Sequence, residues 1–180
     1  EAEPSPVKAA AGALGVGESQ LLVASTGVIG HQLEIEKLEA GMPALVQALG
    51  PTAEPFALAI LTTDLVPKTV STTVKLAKGE VRITGISKGS GMIHPNMATM
   101  LGYLLTDTIV PASIARGLLL DVNRKSFNMI SVDGDTSTND CAFLLANGAS
   151  GVAIESDADF EAFKDALTKV AQELAKAIAR

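Results

Sequence analysis

Residues 69–87, TVSTTVKLAKGEVRITGIS, decide the fold of this chain because they read as two strands joined by a tight turn. Val, Thr and Ile dominate 69–76 and 80–87, and β-branched residues favour the pleated backbone of a strand. Lys78 and Gly79 stand between the two segments, where a turn residue is needed. The sequence therefore predicts a two-stranded unit around which the other elements are arranged.

Helical and extended segments alternate irregularly around these strands. Further strands are predicted at 20–25, 99–105 and 126–132, and helices at 6–13, 53–61, 111–124, 140–147 and from Ser156 to the C-terminus. A helical pattern from Ile35 to Leu49 contains Gly41 and Pro43, which predict a break. Because strands and helices do not strictly alternate, we expect an α/β fold of the layered α+β type, with mixed sheets covered by helices.

Composition narrows the possible functions. The 180 residues fit one domain, are 47% hydrophobic and only 3% aromatic, and carry a formal net charge of −6. An acidic chain without a basic patch argues against nucleic-acid binding, and no apolar run reaches the length of a membrane span. The N-terminal EAEPSPVKAA is not typical of a signal peptide, although the missing initial Met indicates a processed or excised chain. A lone Cys141 predicts a reducing compartment.

Thr99 lies at the end of a Gly-rich loop, within residues 88–101, KGSGMIHPNMATML. A threonine hydroxyl is a weak nucleophile until a base removes its proton. An N-terminal threonine carries that base itself. Its α-amine has a pKa of roughly 8, so a useful fraction is unprotonated near neutral pH. Cleavage between Ala98 and Thr99 would create this amine, and the small Ala98 would allow the hydroxyl to attack its carbonyl. The alternative is an ordinary threonine at the start of a strand.

Four motifs in order resemble the ornithine acetyltransferase (glutamate N-acetyltransferase) family. They are STGVIG at 25–30, LTTD at 61–64 followed by Pro67-Lys68, KGSGMIHPNMATML at 88–101, and DGDTSTND at 133–140. The resemblance covers nearly the whole chain. It implies one catalytic-core region over 1–180, in which self-cleavage separates an α-chain part, 1–98, from a β-chain part, 99–180. It also implies an N-terminal-nucleophile type of layered fold.

The resemblance also implies roles for individual residues. Thr99 would be the nucleophile that carries the acetyl group, and Thr26 and Gly27 would form the oxyanion hole. Thr62 and Lys88 would bind the amino-acid substrate together with Thr99. A hydroxyl and a backbone N–H in a glycine turn can stabilise one oxyanion, and a lysine can attract a substrate carboxylate. Without the resemblance, these residues would read as turn formers, a helix end and a solvated lysine.

The activity implied by the resemblance is acetyl transfer from N2-acetyl-L-ornithine to L-glutamate in arginine biosynthesis. Some relatives in the family also accept acetyl-CoA, which would make the enzyme multifunctional. We expect no cofactor and no metal, since His31 and His94 lack a third ligand pattern. The resemblance further implies an α/β heterotetramer, and we expect a cytoplasmic enzyme without a nucleic-acid or membrane partner.

The motif DGDTSTND at 133–140 leaves other interpretations open. It lacks the Gly and Glu that a calcium loop needs at its sixth and twelfth positions. Asp133 and Asp135 after an apolar strand also resemble the haloacid-dehalogenase-like phosphatases, whose first Asp is a nucleophile and second a general acid. A third reading is structural, a polar turn that satisfies backbone N–H groups and caps a helix.

Several features of the resembled family are missing from this sequence. The family's Gly-Asn-Ala-rich upstream segment is absent, as are an acidic substrate-binding residue expected past Arg180 and the Asn and Thr ligands near the family's C-terminus. A second hypothesis is therefore a non-catalytic core fragment, which completes an active site only together with other segments.

Overall fold

The computed structural model describes residues 5–28, 30–91, 93, 100–135 and 137–180. The chain divides into two compact units, Glu1–Ala53 and Glu54–Arg180. This division concerns packing, so the prediction of one catalytic-core region with a boundary between Ala98 and Thr99 stays a prediction. Among the described residues, no helix combines the length and the apolar character needed to cross a bilayer.

The first unit is built on two helices, α1 (Pro6–Leu14) and α2 (Ile35–Gln47). The side chain of Ser5 caps α1, and its own backbone N–H donates to Glu39 on α2 at 2.7 Å. Proline at the first helical position suits α1 because the N–H that proline lacks has no helical partner there. The helix predicted over 6–13 is confirmed.

Two predictions for the first unit are wrong. Residues 21–28 have no regular secondary structure, although a strand is predicted over 20–25. A strand needs a hydrogen-bonded neighbour, and the described part of this unit supplies none. Helix α2 also continues through Gly41 and Pro43, because a proline costs a helix one hydrogen bond without always ending it.

The second unit contains a four-stranded sheet in the order β1–β2–β3–β4. The strands are β1 (Lys68–Leu76), β2 (Gly79–Lys88), β3 (Leu101–Thr106) and β4 (Cys141–Ala146). The first two pairings are antiparallel, and β4 lies parallel to β3. The predicted hairpin is confirmed, as is the mixed, layered α/β fold.

Helices α3 (Glu54–Ala59), α4 (Ala112–Arg124) and α5 (Asp157–Ile178) complete the second unit. Ser156 caps α5 by accepting the N–H of Asp159 at 3.1 Å, as predicted. The apolar face of α5 packs on β1 and β2. The core contains Ile83 and Leu104 from the sheet and Phe163, Leu167 and Leu174 from α5.

Two predictions for the second unit are wrong. Residues 140–147 read as a helix, but Cys141–Ala146 forms β4, because pairing with β3 satisfies its backbone and sets Phe143 beside Tyr103. Residues 126–132 read as a strand, but a short 3-10 turn occupies Phe127–Met129. There Ser126 Oγ donates to the carbonyl of Val122 at 2.6 Å, so the segment closes the end of α4.

Gly85 on β2 permits the close approach of α5, so Gly85→Ala should destabilise the second unit. A Cβ at this position would lie 2.6 Å from Leu174 Cδ1 and from Val170 Cγ1. Overpacking of this kind costs about 1–3 kcal/mol. Gly117→Ala on α4 is the matched control, since no atom lies within 4 Å of its Cβ position and alanine favours a helix. Urea unfolding that showed equal stability for both variants would contradict this packing.

Candidate active site

One edge of the sheet brings together both ends of the motif at 88–101 and the end of the motif at 133–140. The end of β2 pairs with the start of β3, and the start of β3 pairs with the start of β4, so that Lys88, Leu101 and Cys141 lie side by side in register. The residues that follow or precede them, including Gly89 and Asp140, therefore lie along the same edge. The chain reaches this edge immediately after Thr99.

Asp64 contacts Thr62, one predicted substrate-binding residue, and Gly89, which follows the other, Lys88. Its Oδ1 accepts a hydrogen bond from the backbone N–H of Gly89 at 2.7 Å and another from Lys68 Nζ at 2.5 Å, while Oδ2 accepts one from the N–H of Thr62 at 3.4 Å. Burial raises the pKa of Asp64, but the Lys68 ammonium and the two N–H groups outweigh it and hold the pKa below its usual value. The Asp64 side chain is therefore a buried carboxylate between Thr62 and the residue after Lys88.

Lys88 is enclosed, since only 1% of its surface is exposed. Burial lowers the pKa of Lys88, and the carboxylates of Asp64 and Asp140 oppose that effect. A buried ammonium interacts strongly with nearby charges because little water screens it. The prediction of a solvated loop lysine, the alternative to substrate binding, does not fit this environment.

Asp140 holds the start of β3. Its Oδ1 accepts the backbone N–H of Met100 at 2.7 Å, and the next N–H, of Cys141, donates to the Met100 carbonyl at 3.2 Å. Burial raises the pKa of Asp140, while the Met100 N–H and the Lys88 ammonium act in the opposite direction. Asp140 is thus fixed beside both the buried lysine and the residue that follows Thr99.

Ile93 marks the other side of the predicted cleavage segment. Its N–H donates to Asp133 Oδ1 at 2.7 Å, and its carbonyl accepts the N–H of Val132 at 2.6 Å and the hydroxyl of Ser131 at 3.2 Å. Ala98 and Thr99, and His94, lie outside the described residues. The structure therefore locates the two flanks of the cleavage segment.

The structural interpretation of the motif at 133–140 had two parts, a polar turn that satisfies backbone N–H groups and a helix cap. The first part is confirmed. Asp133 Oδ1 also accepts the N–H of Asp135 at 3.3 Å, and Ser137 Oγ accepts that of Asn139 at 3.1 Å. The motif does not cap a helix, because strand β4 follows it. Both of these backbone contacts of Asp133 fall on its Oδ1.

Thr26 and Gly27 belong to the first unit. Ser25 and Thr26 line a cleft of about 430 Å³ with apolar neighbours, among them Leu33 and Met42. A Cβ on Gly27 would lie 3.7 Å from Leu33 Cδ2, an ordinary contact. Their role as an oxyanion hole stays a prediction.

Among the residues that the structure describes, no group of three or more His, Cys, Asp or Glu side chains is arranged to hold a metal ion. Cys141 is half-buried, and burial together with the Asp140 charge raises the pKa of its thiol. A raised pKa makes the thiolate scarce, which agrees with an inert, packed cysteine.

The sequence interpretation missed the roles of Asp64 and Asp140. Both close a motif on which the resemblance rests, Asp64 in LTTD and Asp140 in DGDTSTND. That shared placement is the signal that could have revealed them. Their contacts with Gly89 and Met100 depend on the sheet register, which spacing alone does not give.

Comparison with known proteins assigns this chain to a class of protein. The model of the ArgJ family matches residues 2–180. The chain therefore belongs to the ArgJ family, the ornithine acetyltransferase family of arginine biosynthesis that its four motifs resemble.

Three relatives are each longer than this chain. It is 47% identical over 170 residues to the arginine biosynthesis bifunctional protein ArgJ of Synechocystis, and 50% identical over 167 residues to that of Thermus thermophilus. Each alignment covers 93% of this chain but 41% of the relative. A relative from Neurospora crassa, named as mitochondrial, is 46% identical over 91% of this chain and 37% of its own length. The chain thus spans about two fifths of the length of these relatives.

Proposed function

We propose that the protein containing this chain transfers an acetyl group from N2-acetyl-L-ornithine to L-glutamate through an acetyl-threonine at Thr99. The observation that carries the proposal is the convergence at one sheet edge. Lys88, Asp64 and Asp140 meet where the chain leaves the segment that ends in Thr99. Membership of the ArgJ family supports the same reaction.

The proposed first step is self-cleavage. Thr99 Oγ attacks the carbonyl carbon of Ala98, the Ala98–Thr99 C–N bond breaks, and an ester forms while the nitrogen takes up a proton. Water then hydrolyses the ester and leaves a carboxylate on Ala98 and a free α-amine on Thr99. The amine supplies the base that the intact chain lacks.

Acetyl transfer follows in two half-reactions. Thr99 Oγ attacks the acetyl carbonyl while the Thr99 amine takes its proton, and Thr26 and Gly27 stabilise the oxyanion. The amide bond breaks, ornithine leaves with that proton, and the acetyl group remains as an ester. The glutamate amine then attacks the ester, and Thr99 Oγ recovers a proton. One site serves both substrates in turn, which is ping-pong catalysis.

Lys88 and Thr62 would hold the amino-acid part that both substrates share. Asp64 accepts the N–H of Thr62 and that of Gly89, the residue after Lys88, which holds the backbone at both places. Arrangement of this kind reduces the entropy that substrate binding must overcome. No metal or cofactor takes part in the proposed steps.

Trapping the acetyl-enzyme tests the proposal. The full natural protein is incubated with N2-acetylornithine but no glutamate, and its fragments are analysed by mass spectrometry. We expect one fragment that begins at Thr99 and carries one acetyl group, which glutamate then removes. An acetyl group on any other residue, or dependence of activity on Asp133 with phosphate esters and magnesium, would favour another class of enzyme.

The pH dependence of substrate binding should reveal whether Lys88 binds substrate. Because burial lowers its pKa, Lys88 loses its proton below the ordinary lysine range of roughly pH 10.4. If its positive charge binds the substrate carboxylate, KM for N2-acetylornithine should rise as the pH rises through that lowered pKa. A purely structural Lys88 would leave KM constant over the same range. The Thr99 amine should affect kcat and not KM, because kcat should rise as this amine loses its proton at about pH 8.

Use of acetyl-CoA, an α/β heterotetramer and a cytoplasmic location remain parts of the same proposal. The name of the Neurospora crassa relative places that protein in mitochondria, so location should be determined directly. The alternative of a non-catalytic core fragment has its own support, since the chain covers 41% of the relative from Thermus thermophilus. Assaying the chain alone beside the full natural protein separates these two possibilities.

A further inference from the structure

Residues 131–140 contact the chain on both sides of the cleavage segment, and we call them the clamp loop. Near its start, Ser131, Val132 and Asp133 hold both backbone polar groups of Ile93. At its end, Asp140 holds the N–H of Met100.

We propose that Asp133 and Asp140 are positioning residues with different duties, Asp133 for self-cleavage alone and Asp140 for both self-cleavage and acetyl transfer. The inference rests on the proposed function. Both carboxylates act through the backbone: Asp133 accepts the N–H of Ile93, and Asp140 accepts that of Met100.

The difference follows from where the chain would be cut. Before cleavage, Ile93 and Met100 are ends of one continuous segment, so fixing both restricts the conformations open to Ala98 and Thr99. After cleavage, Ile93 belongs to the first fragment and is no longer covalently connected to Thr99. Met100 remains bonded to Thr99, so its hydrogen bond to Asp140 continues to orient the nucleophile.

The clamp also joins the two fragments after cleavage. Ile93 belongs to the first fragment and its partners Val132 and Asp133 to the second. The antiparallel pairing of β2 with β3 crosses the same boundary, from Lys88 with Leu101 to Ile83 with Thr106. Losing the Asp133 contact should therefore leave the fragments associated through the sheet.

The test compares Asp133→Ala and Asp140→Ala in the full natural protein, with Asp135→Ala as a matched control in the same loop. Asp135 is exposed, and its contact with the loop runs through its backbone N–H. Cleavage is followed over time after cell-free synthesis. Acetyl transfer is measured per cleaved molecule, from N2-acetylornithine to glutamate.

We expect Asp133→Ala to slow cleavage about tenfold and to change transfer per cleaved molecule less than about twofold, since the charged acceptor that holds the Ile93 N–H is lost. Asp140→Ala should slow both by about tenfold or more. Asp133→Asn should restore much of the cleavage rate, because its amide oxygen can still accept the Ile93 N–H. Asp135→Ala should match the wild type.

Two results would overturn the proposal. One is equal impairment of transfer and cleavage by Asp133→Ala, and the other is normal transfer per cleaved Asp140→Ala molecule. If an alanine variant does not fold, the same comparison is made with Asp133→Leu and Asp140→Leu, which are closer to aspartate in size and lack an acceptor oxygen. If the wild-type protein neither cleaves nor transfers, the proposed function fails on its own. The clamp is then judged by amide hydrogen exchange, which should quicken at Ile93 in Asp133→Ala and at Met100 in Asp140→Ala.

Discussion

A Thr99→Ala protein should remain a single chain and lose acetyl transfer by more than about 10³-fold. Alanine removes the hydroxyl that attacks the Ala98 carbonyl, so no free α-amine forms. It also removes the oxygen that would carry the acetyl group, so both proposed steps fail together. Intact mass, N-terminal sequencing and a transfer assay measure the three consequences on one sample.

Thr99→Ser is the control for this substitution because it retains a hydroxyl in the same position. It should be cleaved and should form an acetyl-serine, at reduced rates. A Thr99→Ala protein that is still cut between positions 98 and 99 would show that another group performs the cleavage. A Thr99→Ala protein that stays whole but transfers acetyl groups normally would remove Thr99 from the proposed mechanism.

Replacing Asp64 by alanine should cause the largest loss of stability in the second unit, about 3–5 kcal/mol in the free energy of unfolding. The Asp64 side chain is 0% exposed and that of its ion-pair partner Lys68 is 6% exposed. Without the carboxylate, the Lys68 ammonium is left buried and the Gly89 N–H loses its acceptor. Lys88 also loses one of the two negative charges that favour its protonated form.

Urea unfolding of the full natural protein measures this effect. Glu155→Gln is the matched control, since it disrupts an ion pair with Lys78 whose side chains are 49% and 65% exposed and should change little. A combined Asp64→Leu and Lys68→Met variant should recover part of the loss, because both buried charges disappear together. Equal stability of Asp64→Ala and the wild type would show that water reaches this group.

The sign of the pH dependence follows from the lowered pKa of Asp64. A carboxylate that is more acidic in the folded protein stabilises it above the unfolded pKa, which is about 3.9. That contribution is lost as the pH falls through the folded value. The wild-type protein should therefore be destabilised by acid more steeply than Asp64→Asn, as thermal unfolding between neutral and acidic pH can measure.

The sequence determined the parts of the fold that depend on local pattern. The hairpin of β1 and β2 follows from β-branched residues around Lys78 and Gly79, and α5 from an apolar stripe beginning after Ser156. These signals suffice because apolar residues on the buried face recur every second residue in a strand and every third or fourth residue in a helix. Four ordered motifs likewise sufficed to indicate the family to which the chain belongs.

Only the tertiary structure decided the secondary structure of segments whose pattern is compatible with both a helix and a strand. Residues 141–146 are apolar throughout, so they suit a helix or a buried strand, and the free edge of β3 decides for the strand. Residues 20–25 show the reverse case, because a strand-like pattern without a partner stays irregular.

The candidate site likewise has features that the sequence predicts and features that only the tertiary structure shows. The resemblance predicts Thr62 and Lys88 as substrate-binding residues, but only packing showed that Lys88 is enclosed and that Asp64 contacts both Thr62 and Gly89, the residue after Lys88. Asp140 is forty positions from its backbone partner Met100, and the parallel pairing of β3 and β4 brings them together. Contacts across such a separation depend on register, which arises from the packing of the whole sheet and not from any local run of residues.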